Sequence, residues 1–127
     1  MTALFRRIQP SKKLRITVRL IAQLLKVSPN QIKRVESWAF VLFVHRRDRG
    51  GQFISYRRLE EWQNAIAHHI QTCPTLGELS QLKTSIQYDS RKFKKQFLPK
   101  TLDFLSQMCI ERQDKLNIWE SLNCIAS

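Results

Sequence analysis

Acidic residues are scarce in this chain. Ten Asp and Glu stand against 22 Lys and Arg, a net charge of +12 and a pI near 10.3. Long apolar runs are missing as well. The longest, Trp38 to Val44, has seven residues, far below the ~18 to 20 of a membrane span. No apolar segment follows the early Arg6 and Arg7, so the start does not read as a secretory signal. Cysteines are few, odd in number and widely spaced: Cys73, Cys109 and Cys124. They offer neither a C-x-x-C pair nor a disulfide framework, which favours a reducing, cytoplasmic setting. With His45, His68 and His69 they give no regular ligand spacing, so no metal is expected and the thiols read as buried apolar groups. There is no P-loop, G-x-S-x-G or H-E-x-x-H. Glu60 and Glu61 are adjacent and would diverge on a helix. The expectation is a protein that is not an enzyme and carries no cofactor.

What remains is a basic chain of 127 residues with an apolar fraction of 43%. That length suits one domain, or a small domain with a helical appendage. The charge is uneven. Residues 1–60 hold fourteen Lys and Arg against Glu36, Asp48 and Glu60, a net +11, whereas residues 61–127 hold eight against seven. A footprint of this kind fits a polyanion, either nucleic acid or an anionic membrane surface.

Residues 1–14 are a basic lead, an arm or a frayed terminus. Thr17 is placed to cap a helix over Val18–Leu25. Ser28, with Pro29 in the first helical position, predicts a second helix to about Trp38, with Ile32 and Val35 facing inward. Two β-prone runs, Phe40–His45 and Gln52–Ile54, flank Asp48-Arg49-Gly50-Gly51, where the glycines supply positive φ, and read as a hairpin wing. Ser55 is expected to cap a helix from Tyr56 to about Gln71. Thr75 with Glu78 makes a capping box for a fourth, lined by Leu76, Leu79, Leu82 and Ile86. Asp89 or Ser90 is placed to cap a segment carrying Phe93 and Phe97, and Pro99 to break or kink the chain. A last amphipathic helix spans about Lys100 to Cys124, able to fold back on the core or to pair with its copy. The order is mostly α, a winged helix-turn-helix arrangement with a small β-hairpin.

In this reading Asn30, Gln31, Lys33 and Arg34 project from the opening turns of the second helix. Amides there suit adenine, and Arg or Lys suit guanine or phosphate. An ordinary solvated helix face is the alternative. Arg46, Arg47 and Arg49 crowd the wing with only Asp48 against them, which suits flanking phosphate or the minor groove. Arg19, Tyr56 and Arg57 sit at helix starts where backbone contact is possible. Trp38, Phe40, Phe43 and Trp62 read as core, because base stacking needs an exposed platform.

The stretches "ITVRLIAQLLKVSPNQIKRVE", "RRDRGGQFISYRRLEEW" and "CPTLGELSQL" together resemble the MerR family of transcriptional regulators, over about residues 15–87. Ala22 matches the small residue at the helix crossing, and Val27-Ser28-Pro29 the turn. The chain departs from the family at Lys26, where Gly is usual, at Val35, where an aromatic often follows the arginine, and at Gln52, where Arg is common. Within that family, the length and basic first half are similar to the cyanobacterial MerR-type repressors of type V-K CRISPR-associated transposons. The resemblance implies three parts: an arm over 1–14, a winged helix-turn-helix DNA-binding domain over 15–87, and a dimerisation segment over 88–127. It implies a homodimer whose seam includes Leu102, Leu105, Met108, Cys109, Leu116, Trp119 and Leu122. The expected function is a promoter-occupying repressor of double-stranded DNA, with no membrane partner and no evident small-molecule effector. DNA contacts are expected from Arg19, Ser28, Asn30, Gln31, Lys33, Arg34, Arg46, Arg47, Arg49, Gln52, Tyr56 and Arg57. The alternative is an excisionase-like architectural or recombination-accessory protein.

Overall fold

The computed structural model describes residues 1–126, with side chains as far as Leu122. Cys124 and Ile125, expected on the last helix, have side chains outside the described residues. The chain is mostly helical and carries one three-stranded antiparallel sheet. It divides into two compact units. One is Gln9–Trp62; the other joins Met1–Ile8 to the chain from Gln63 onward.

The unit Gln9–Trp62 opens with a four-residue helix, α2 (Pro10–Lys13), which follows α1 (Ala3–Ile8) of the other unit. Next comes α3 (Val18–Leu25). Its cap is the expected one: Thr17 Oγ1 accepts from the Leu20 N–H at 3.2 Å. The helix stops at Lys26, whose φ of +58° is left-handed and whose N–H turns back to the Ala22 and Gln23 carbonyls. Ile21 and Ala22 are its buried residues, and α3 packs on the strand that follows.

That strand corrects the sequence reading. Ser28 accepts from the Asn30 N–H at 3.4 Å and Pro29 takes the first helical position, as expected. The helix nevertheless lasts only one 3-10 turn, Pro29–Gln31, and gives way to β1 (Ile32–Ser37). It pairs with β2 (Leu42–Arg46), which pairs in turn with β3 (Gly50–Ile54). The register shifts between Ile32 and Arg34. The spacing of Ile32 and Val35, three residues, reads as one helical face; the extra residue of the bulge lets both point inward from a strand. Pairing also satisfies the backbone of β2 on its second edge, a tertiary gain that outweighs local capping signals.

The expected hairpin forms from β2 and β3, turning through Arg47–Arg49 with Gly50 at φ +76°. Leu42, Val44 and Ile54 are buried on its inner face. Each such side chain contributes roughly 1.5–3 kcal/mol relative to exposure. Ser55 caps a 3-10 turn, Tyr56–Arg58, instead of a full helix. Extended Leu59 separates that turn from α4 (Glu60–Gln71), which crosses the division between the units.

In the other unit α1 packs on α5 (Leu76–Lys92), and Leu4, Phe5 and Ile8 are buried. The basic lead is therefore two short helices, the first of them part of a core. Thr75 caps α5 by accepting from the Glu78 N–H at 3.1 Å. Leu79, Leu82 and Ile86 are buried along it. The expected new cap at Asp89 or Ser90 does not form, because α5 continues through both residues. Pro99 lies at a break in the helical chain, as expected: α5 ends at Lys92, and Pro99 opens α6 (Pro99–Ala126) in the position where a missing N–H is harmless.

Candidate nucleic-acid interface

The antiparallel pairing sorts the sheet residues onto two faces. Leu42 opposes Ile54, Val44 opposes Gln52 and Arg46 opposes Gly50 on the inner side. The outer side carries Arg34 opposite His45, Glu36 opposite Phe43, and Phe43 opposite Phe53.

The outer face is ordered from one end to the other. At the β1–β2 end lies an aromatic group. Trp38 stacks on Phe43 with ring centroids 5.2 Å apart, and Phe53 meets Trp38 at 5.5 Å and Phe43 at 4.9 Å. Trp38 is 44% exposed, Phe53 59% and Phe40 63%. In the middle, the edge of His45 meets Phe43 at 4.6 Å, and His45 Nε2 hydrogen-bonds the Glu36 carboxylate. Arg34 Nη2 lies 3.8 Å from the same carboxylate. The His45 hydrogen bond, helped by the Arg34 charge, holds Glu36 below its ordinary 4.5, so it stays ionised. At the far end lie Lys33, Arg47 and Arg49, all exposed, with exposed Asn30 and Gln31 in the adjoining turn. The Arg47 N–H donates to the Gln31 carbonyl at 2.8 Å, which joins that turn to the hairpin.

The sequence-predicted contacts divide accordingly. Arg19, Ser28, Asn30, Gln31, Lys33, Arg34, Arg47 and Arg49 are exposed. Arg46, Tyr56 and Arg57 are buried and committed inside the unit. Arg46 grips Asp48 through Nε at 3.0 Å and Nη2 at 2.9 Å, and donates to half-buried Gln52 at 3.2 Å. This grip holds the Asp48 carboxyl below its usual range. The Tyr56 hydroxyl donates to the Trp38 carbonyl at 2.6 Å, and burial pushes its ionisation upward. The Arg57 guanidinium lies over the Trp62 ring at 5.3 Å.

Of the aromatic residues read as core, Trp62 is fully buried, but Trp38 and Phe40 are exposed and Phe43 is half-buried. Sequence reasoning also missed Phe53 and the Glu36–His45 pair. The signal was present: in "LFVHR" Leu42, Val44 and Arg46 alternate with Phe43 and His45, the period of a strand with two different faces. Gly51 completes the arrangement. A Cβ there would lie 2.4 Å from the Phe43 ring, so only glycine lets that ring lie across the strand.

Among the expected dimer residues, Leu105, Cys109 and Leu116 are buried within the chain, Leu102 and Met108 are half-buried, and Trp119 and Leu122 are exposed. Grooves of about 420 and 270 Å³ run between α5 and α6 and share Lys83 and Cys109. Among the described residues no three His, Cys, Asp or Glu side chains converge as metal ligands, and no helix is long and apolar enough to cross a membrane. No protein-family model, curated protein or solved structure matches this chain.

Proposed function

We propose that this chain is a sequence-specific double-stranded DNA-binding regulator, a promoter-occupying repressor that acts as a homodimer. The observation that carries the reading is uncommitted positive charge at one end of the sheet. Lys33, Arg47 and Arg49 are exposed there and, among the described residues, held in no ion pair. The sheet's own carboxylates are already engaged, Glu36 by His45 and Asp48 by Arg46. Phosphate is the natural counterpart of such a cluster. In MerR-like terms, α3 and the β2–β3 hairpin take the places of the first helix and the wing of a winged helix-turn-helix. Strand β1 stands where the recognition helix was expected. Sheets as well as helices enter DNA grooves, and Asn30 and Gln31 keep amides suited to adenine edges.

An excisionase-like architectural role is the second reading. The exposed aromatic end of the sheet favours it, because apolar wedges that open base steps bend duplex DNA.

Affinity for a short duplex, measured by fluorescence anisotropy over a salt series, tests the proposal. Log K should fall linearly with log salt. Arg47→Ala and Arg49→Ala should each flatten the slope by roughly one. Asn30→Ala and Gln31→Ala should leave the slope unchanged and reduce discrimination between selected and scrambled duplex. Duplex binding that is absent, or indifferent to salt and to both arginines, sinks the reading.

A further inference from the structure

We infer that the outer face of the sheet is a stacking platform for unpaired DNA bases, built from Trp38, Phe43 and Phe53 and read along its edge by the Glu36–His45 pair. The inference rests on the DNA-binding reading above and adds the form of DNA this face holds. Aromatic rings are the costliest groups to leave in water, yet Trp38 and Phe53 are 44% and 59% exposed on the same face. They are not loosely placed. They pack edge and face on Phe43, which lies where Gly51 offers no side chain. A built and exposed aromatic surface calls for a planar apolar partner.

Charge selects which partner. Arg47 lies four residues along the chain from Phe43, about 14 Å at ~3.4 Å per residue. Bases resting on the rings would therefore let their backbone run toward Arg47, Arg49 and Lys33. A second copy of this face would set two strongly basic units against each other, for the unit Gln9–Trp62 holds twelve Lys and Arg against four acidic residues. An anionic membrane matches the charge but not the middle of the face, where Glu36 is ionised. Burying that carboxylate in acyl chains is costly. Against a base edge it is useful, since a carboxylate accepts from the amino group of cytosine. Bases inside a closed duplex cannot reach the rings, so the platform takes bases that are single-stranded or locally opened.

The test compares one DNA sequence in three forms: single strand, closed duplex, and duplex with a central unpaired bubble. Binding is followed by anisotropy of a labelled strand, and by tryptophan emission, with Trp38→Phe as the control that assigns the quenched signal to Trp38. The single strand and the bubble should quench Trp38 emission, and the bubble should bind more tightly than the closed duplex. Phe53→Leu keeps an apolar side chain but removes the ring. It should weaken single-strand and bubble binding about ten-fold and change closed-duplex binding less than two-fold. Gly51→Ala should do the same by displacing Phe43. Circular dichroism and the melting temperature of each variant check that the sheet still folds. The platform is overturned if Phe53→Leu affects all three forms equally or none, if RNA of the same sequence binds more tightly than DNA, or if phosphatidylserine vesicles quench Trp38 and single-stranded DNA does not. Salt-dependent duplex binding that survives such a result would leave the regulator reading standing; loss of binding to every form would remove both.

Discussion

The Thr2 hydroxyl donates a hydrogen bond to the Asp89 carboxylate, eighty-seven residues along the chain, and both side chains are buried. The same oxygen accepts from the Phe5 N–H at 3.2 Å, which caps α1. One hydroxyl thus closes the first turn of α1 and ties that helix to α5. Asp89→Ala removes the acceptor and leaves a buried hydroxyl donor without it, a loss of about 1–3 kcal/mol. Urea unfolding of Asp89→Ala, Thr2→Val and the double variant should show a coupling in which the second substitution costs less than the first. Strict additivity would mean the two groups do not act as a pair.

Lys26 ends α3 with a φ of +58°, a conformation that suits glycine. A lysine there carries a backbone strain that glycine would relieve, partly offset by glycine's greater freedom in the unfolded chain. Lys26→Gly should therefore raise stability by about 0.5–1 kcal/mol, and Lys26→Val should lower it. Thermal melts of the two variants decide the matter. A melting point that falls for glycine would show that the Lys26 side chain, not its backbone, determines how α3 ends.

Glu36 lies below its ordinary 4.5, first because of His45 and then because of Arg34. For a carboxylate depressed by folding, the stabilisation is fully present above the unfolded value and is lost as pH falls through the folded one. The Glu36 carbon resonance followed by NMR should thus titrate below 4.5. In His45→Ala it should move back toward that value. An unshifted titration in the parent protein would remove the His45 contact as its cause.

How much of this was legible depends on where each signal lay. Thr17 and Thr75 cap the helices that the sequence assigned to them, because a cap is a bond between residues three apart and needs no tertiary partner. The hairpin was legible for a similar reason, with Gly50 at its turn. Residues 29–38 were not. Ser28 and Pro29 start a helical turn, but the strand that replaces the helix is decided by β2, which lies beyond the window a local reading uses. The site inherited that error. Asn30, Lys33 and Arg34 stay exposed, yet on a turn and a strand. The aromatic residues were misassigned because hydrophobicity alone does not say which face of a two-faced strand meets the core. Arg57 was read as a DNA contact because its place over Trp62 depends on the 3-10 turn after Ser55.

On α6, folding and association rest on different residues. Leu105, Cys109 and Leu116 are buried within the chain, whereas Ile118, Trp119 and Leu122 are 62%, 58% and 55% exposed. Ile118 and Leu122 are four residues apart and share a helix face. In the homodimer proposed above, this exposed end of the helix is the surface left for the second copy. Leu105→Ala should then destabilise the protomer by about 2–5 kcal/mol as a core truncation. Trp119→Glu and Leu122→Glu should leave the protomer's unfolding at high dilution unchanged and shift sedimentation from dimer to monomer. Burial also raises the Cys109 thiol above its ordinary range, so in a Cys124→Ser background its alkylation should be slow in folded protein whether or not the dimer forms. That makes it an independent check that Trp119→Glu keeps its core. A dimer that persists through both glutamate substitutions, with Cys109 still protected, would move the interface off this helix.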